Sequence, residues 1–215
     1  MERILETEYM DTEEEACDYD SMDHHAVNAA FVERLHELGA HGRVLDLGTG
    51  PGQIAIAIAE SADDFHVLGI DAAGTMLAIA EERKSHSPAA DRIEFQQGDA
   101  TKLDLPDQSF DAVVSNTVLH HIPRPVEFLQ EAGRLLKPGG VLLIRDLFRP
   151  ESPEAVTAIV EANGEGLSPT GLKLFRDSLH ASLTQKELRA AAVEAGLEAF
   201  GITQDTDRHM SLQKK

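Results

Sequence analysis

The sequence predicts an α/β protein: a doubly wound, mostly parallel sheet with helices on both faces. Three observations carry this. Five short apolar stretches alternate with helical ones through the middle of the chain. The first stretch ends in a glycine-rich turn that opens onto a helix. A length of 215 residues, 42% of them hydrophobic, suffices for one sizeable core and not for two. A single domain over 1–215 is therefore expected, with an N-terminal helical cap (1–40), a core (41–147), a helical lid (148–182), and a closing helix with a β-hairpin (183–215).

The cap begins acidic, with ten carboxylates against Arg3 alone up to His25, and Thr12 with Glu15 has the spacing of a capping box. Val27, Phe31, Leu35 and Leu38 then repeat at helical spacing, with Gly39 as the stop. Strands are predicted at 43–47, 66–71, 92–97, 110–116 and 141–146. Between them, helices are predicted at 52–60, 74–84 and 125–136. Pro51 has the fixed φ that suits the start of the first, and Lys137-Pro138-Gly139-Gly140 closes the last. In the lid, Ser152-Pro153 opens one helix and 163–166 break it, while Leu172, Phe175 and Leu179 mark another. Thr184 with Glu187 forms a second capping box, and Leu188, Ala191, Ala192 and Ala195 line one helical face that ends at Gly196. Two short strands near 197–203 and 209–212 complete the sheet as a hairpin around Asp205.

Composition excludes several functions. A formal charge of −19 without a basic patch argues against nucleic acid and anionic membrane as partners. Cys17 is the single cysteine, so no disulfide or thiolate cluster forms within the chain. The acidic start is no signal peptide and no apolar run approaches about 18 residues, so a cytoplasmic protein is expected.

The turn Gly48-Thr49-Gly50-Pro51-Gly52 suits a nucleotide-like ligand, and its neighbours narrow the choice. A dinucleotide site places a third glycine where Gln53 stands. Asp46, just before the turn, repels a pyrophosphate and attracts a cationic amino or sulfonium group; the alternative is a carboxylate that caps the next helix. Asp71, nineteen residues after Gly52, ends the second strand where a carboxylate accepts both ribose hydroxyls. Asp99 follows the third strand, where it can read an adenine amino group.

The stretches 46–52, Ile70-Asp71, Gly98-Asp99-Ala100, 110–116 and 135–140 together resemble class I S-adenosylmethionine-dependent methyltransferases of the small-molecule type. The resemblance covers the core and the hairpin. It implies a Rossmann-like sheet of seven strands with the last antiparallel, and S-adenosylmethionine as cofactor. It places Gly48 and Gly50 along the methionine portion, Asp71 at the ribose, and Met76 and Asp99 at the adenine, with Asp46, Thr49, Gly52, Ala72 and Ala100 also expected to bind the cofactor. Asn116 would border the transferable methyl. Tyr19-Asp20 is similar to a segment that closes over the cofactor in quinone-type relatives, against the reading of a solvated acidic helix end.

His120 and His121 follow the fourth strand, where the family places substrate-facing residues, so either can serve as general base; otherwise one caps the helix and the other faces solvent. Arg145 and Arg149 are candidates for binding an anionic group of the acceptor, or else for salt bridges with the acidic cap. Arg176, Asp177 and His180 raise the same choice on the lid. His24 and His25 could join Asp146 around a metal, but they follow no ligand spacing rule and no metal is expected. The expected function is methyl transfer to a small molecule, by a monomer or homodimer. Alternatives are a non-catalytic binding or sensor protein and a protein methyltransferase, while Gln53 and Asp46 disfavour a nicotinamide oxidoreductase.

Overall fold

The computed structural model describes residues 1–6 and 25–214. The expected roles of Tyr19, Cys17, His24 and the Thr12–Glu15 box lie outside these residues.

Seven strands form one sheet: β1 (Arg43–Leu47), β2 (His66–Asp71), β3 (Ile93–Gln97), β4 (Phe110–Asn116), β5 (Leu136–Leu147), β6 (Gly201–Gln204) and β7 (His209–Gln213). Their spatial order is β3-β2-β1-β4-β5-β7-β6, with the first five parallel and β7 antiparallel to β5 and β6. The helices are α1 (His25–Glu37), α2 (Gln53–Ser61), α3 (Gly74–Ser85), α4 (Pro125–Leu135), α5 (Pro153–Asn163), α6 (Pro169–Ala181) and α7 (Gln185–Glu194). Among the described residues no helix is long and apolar enough to cross a membrane.

Side-chain alternation along the strands sorts the core into two layers. Leu45, Leu47, Leu68, Ile70, Val113 and Ile144 pack with α4 and α7 through Phe128, Leu129, Leu188 and Ala192. Val44, Val67, Ala112, Val114 and Leu143 pack with α1 and α2 through Phe31, Leu35, Ile54 and Ile58. Each fully buried Leu or Phe here contributes about 1.5–3 kcal/mol. A smaller cluster of Leu147, Val156, Val160 and Leu179 holds the lid helices α5 and α6 to the end of β5.

Most element ends fall within one residue of the sequence reading, and three boundaries differ for a definable reason. Gly52 is left-handed (φ 76°), so α2 starts at Gln53 and Pro51 stands ahead of the helix instead of at its first position. β5 begins at Leu136, before the Pro-Gly-Gly stop: Phe110 pairs with Leu136 and Ala112 with Val141, so residues 137–140 are absorbed as an irregularity in the ladder. Residues 197–200 do not pair, and β6 starts at Gly201, because the Leu197 N–H turns back to the Ala192 carbonyl at 2.7 Å.

Candidate cofactor and acceptor site

The strand order reverses between β1 and β4, and in open α/β sheets ligands bind in the crevice beyond the strand ends at such a switch point. Two turns meet there, 48–52 after β1 and 117–121 after β4. Gly48 has φ 74°, and a Cβ on it would run into both methyls of Val118, so only glycine lets the turns approach this closely. A Cβ on Gly50 would meet nothing within 4 Å, so that residue borders open space. Gly52 serves packing instead, since a Cβ there would lie 2.7 Å from Phe95 and 3.0 Å from Ala80. Its missing side chain lets α3 and β3 close against the turn.

Asp46 is 2% exposed, and its Oδ2 accepts the Thr49 hydroxyl at 2.7 Å. Burial pushes its carboxyl up to about 7; the Thr49 bond opposes this and the Asp71 charge adds to it. Asp71 accepts the Gly50 N–H at 2.7 Å and the Ala73 N–H at 2.9 Å, tying the tip of β2 to the glycine turn. Its pKa also stands above the ordinary value because of burial, although these backbone bonds oppose the shift. Ala72 is exposed and its carbonyl accepts the Gln97 amide at 2.8 Å. Met76 is buried on α3 beside Ala73 and Ile79. Asp99 is exposed, with Oδ1 taken by the Thr101 N–H (2.8 Å) and hydroxyl (2.7 Å), and Ala100 packs on the core. Sheet order thus lines up the tips carrying Asp99, Asp71, Asp46 and Asn116.

Asn116 ends β4 with its amide donating to Thr117 at 3.4 Å, while its buried Oδ1 has no partner among the described residues. Thr117 adopts φ 56°, unusual for a β-branched residue, and this bend directs the chain into the two histidines. His120 is 3% exposed. Asp146 of β5 accepts its backbone N–H at 2.7 Å and bonds its Nδ1 at 2.6 Å. Burial works against a charged His120 ring, but the Asp146 charge and hydrogen bond prevail and hold its pKa above the ordinary value. The His121 ring lies 4.1 Å from that of His120, and its Nδ1 is 2.7 Å from Glu6 Oε2.

The side chains of the two arginines are engaged by other partners, although Arg145 pairs with Asn116 in the sheet. Arg145 alternates to the opposite sheet face from Asp146, and its Nε is 3.9 Å from Asp205 on the hairpin. Arg149 is 5% exposed and donates to the Ser182 carbonyl at 2.9 Å and to Glu187 at 2.6 Å, bracing the lid's return to α7. Arg176 donates to Thr157 (3.1 Å) and Asp177 accepts from Lys173 (2.6 Å), both within the lid, while the buried Nδ1 of His180 has no partner among the described residues.

Sequence reasoning missed Glu6 as a neighbour of His121, since nothing distinguishes it among ten acids in the first 25 residues. The first six residues lie along the lid: Ile4 N–H donates to the His180 carbonyl at 3.1 Å, and Arg3 donates to the Ala181, His120 and Ile122 carbonyls.

A family model described as a methyltransferase domain matches residues 38–196. The 27-O-demethylrifamycin SV methyltransferase of Amycolatopsis mediterranei is 35% identical over 161 residues, 75% of this chain and 56% of that protein. The 2-phytyl-1,4-naphtoquinone methyltransferase of Synechococcus elongatus is 37% identical over 112 residues, 52% of this chain and 48% of that one. The chain spans about half the length of these curated relatives. A solved S-adenosylmethionine-dependent methyltransferase from Aquifex aeolicus shares the fold at TM-score 0.68 and 20% identity, covering 94% of this chain and 97% of that one. With a family match across most of its length, the chain belongs to the class I S-adenosylmethionine-dependent methyltransferases.

Proposed function

We propose that the protein transfers a methyl group from S-adenosylmethionine to a small-molecule acceptor. The observation that carries this is the meeting, through Val118 on Gly48, of the glycine turn with the turn that bears His120, whose ring Asp146 of β5 holds. Curated relatives named as rifamycin and naphthoquinone methyltransferases support the acceptor class.

The residues present fit the cofactor. Asp46 is a buried carboxylate whose ionisation a cation would favour, and Asn116 Oδ1 is an orphaned buried acceptor at the methyl end of the crevice. Asp46, Thr49 and the 48–50 backbone would hold the methionine portion, Asp71 with Ala72 the ribose, and Met76, Asp99 and Ala100 the adenine. When bound, the cofactor supplies an electrophilic methyl on a sulfonium.

Most of the protein's contribution to an in-line displacement is alignment and exclusion of water. An acceptor hydroxyl or amine that arrives protonated also needs a base. The Asp146 carboxylate accepts from His120 Nδ1 and so leaves Nε2 to accept the proton. His121 is a second candidate beside it. Arg145 and Arg149, engaged with Asp205 and Glu187, are better placed to support the hairpin and lid than to hold an acceptor.

Incubation with methyl-labelled donor and a metabolite extract tests the reading. Label in a small product is the expected result. Label on polypeptide would make this a protein methyltransferase, and donor bound without any transfer would make it a binding protein.

A further inference from the structure

We infer that Glu6, His120 and His121 form a binding site for one divalent transition-metal ion of the zinc class. One carboxylate oxygen of Glu6 and one ring nitrogen of each histidine lie within 4.8 Å of one another. Ligand atoms around a tetrahedral zinc sit about 3.4 Å apart, as metal–nitrogen and metal–oxygen bonds of about 2.0–2.2 Å require. Small side-chain rotations therefore bring the three to bonding distance. At the closest edge, His121 Nδ1 and Glu6 Oε2 are 2.7 Å apart, and an ion would replace the proton they share.

Outer contacts distinguish this cluster from an ordinary surface ion pair. Metal-bound histidines nearly always donate their second ring N–H to a carboxylate or carbonyl, and ligating carboxylates are themselves hydrogen-bonded. Asp146 holds His120 Nδ1 at 2.6 Å and also accepts the Leu147 N–H at 2.7 Å, so its own position is fixed. Ser178 on α6 donates to Glu6 Oε1 at 2.8 Å, leaving Oε2 for the shared point. His120 is buried and the side chains of His121 and Glu6 are 18% and 13% exposed, so the cluster is sheltered but reachable. The Arg3 guanidinium, which donates to the His120 carbonyl, opposes a cation; the charges of Glu6 and Asp146 offset it.

Two histidines and one carboxylate leave coordination positions open, the arrangement of catalytic rather than closed structural sites. An ion here, on the turn that packs on Gly48, would take over from the His120 ring as base: it would polarise an acceptor oxygen and lower the pKa of its hydroxyl. That consequence rests on the small-molecule acceptor proposed above; ion binding itself does not.

The untagged 215-residue chain, freed of metal with a chelator, is titrated with Co2+ under visible absorption and with Zn2+ by equilibrium dialysis, without donor or acceptor. The expected result is one ion per chain with d–d absorption of low coordination number. Glu6→Gln and His121→Ala should each weaken binding at least tenfold. Asp146→Asn, which keeps all three ligands, should weaken it roughly 10–100-fold. Circular dichroism and S-adenosylhomocysteine binding, unchanged in Glu6→Gln, show that the fold is kept. Stoichiometry far below one, or binding indifferent to Glu6→Gln and His121→Ala, overturns the site whether or not methyl transfer occurs.

Discussion

Asp146 grips His120 at two atoms, its backbone nitrogen and its ring Nδ1, from a strand 26 residues further along the chain. Orientation and tautomer of the ring are thus set by β5, not by the turn that carries it. Asp146→Asn keeps the shape and loses the acceptor-only carboxylate. A fall in kcat of roughly 10²–10⁴ is expected, with donor affinity by calorimetry within about twofold. Stability should drop by about 1–3 kcal/mol as the bonded N–H groups lose part of their partner. Unchanged kcat would remove His120 from the chemistry.

Gly48→Ala places a side chain at φ 74° and against Val118. The backbone strain alone costs about 1–3 kcal/mol. Adding Val118→Ala removes the collision but not the strained φ, so denaturant unfolding of the double variant should show partial recovery. Full recovery would mean that crowding, rather than φ, selects glycine.

Asp46, its carboxyl pushed up to about 7 by burial, is expected to make donor binding pH-dependent through the proposed contact with the methionine portion. Below that pH the free protein carries a proton there, and a cationic ligand favours the ionised form. Binding therefore releases a proton and strengthens as pH rises. A donor Kd roughly tenfold lower at pH 8 than at pH 6 is expected, flattened in Asp46→Asn. Calorimetry in two buffers of different ionisation enthalpy should show the released proton, and its absence would separate Asp46 from the ligand.

His209 acts on stability with acid. Burial, reinforced by Arg145 and Arg208, depresses its pKa to about 3. The unfolded chain takes up a proton near pH 6.5 and the folded chain does not, so stability falls as pH drops from 6.5 towards 3. The slope for this one proton is about 1.4 kcal/mol per pH unit. His209→Asn should show a shallower loss by urea unfolding across that window. An identical slope would mean the ring is not held neutral.

Where pattern and local chemistry agree, the fold was legible. β1, β2 and β4 run where the apolar stretches lie, and the Thr184–Glu187 capping box makes both of its bonds. The acids at the strand tips read correctly in position, because strand ends and glycine turns are local signals. Contacts between distant segments were not legible. No spacing rule links Arg149 to Glu187 or His121 to Glu6, and Pro138-Gly139-Gly140 reads as a stop although the ladder resumes around it.

The short segment 1–6 has its own meaning for the order of assembly. Arg3 meets the Ala181 carbonyl 178 residues away, and Glu6 meets Ser178 across 172. Closing so long a loop is entropically costly, and such contacts are gained only when both ends exist. On the ribosome, Arg3 and Glu6 must wait for these partners until α6 has emerged. The histidine turn therefore acquires Glu6 only once α6 has been made, long after the glycine turn has been translated.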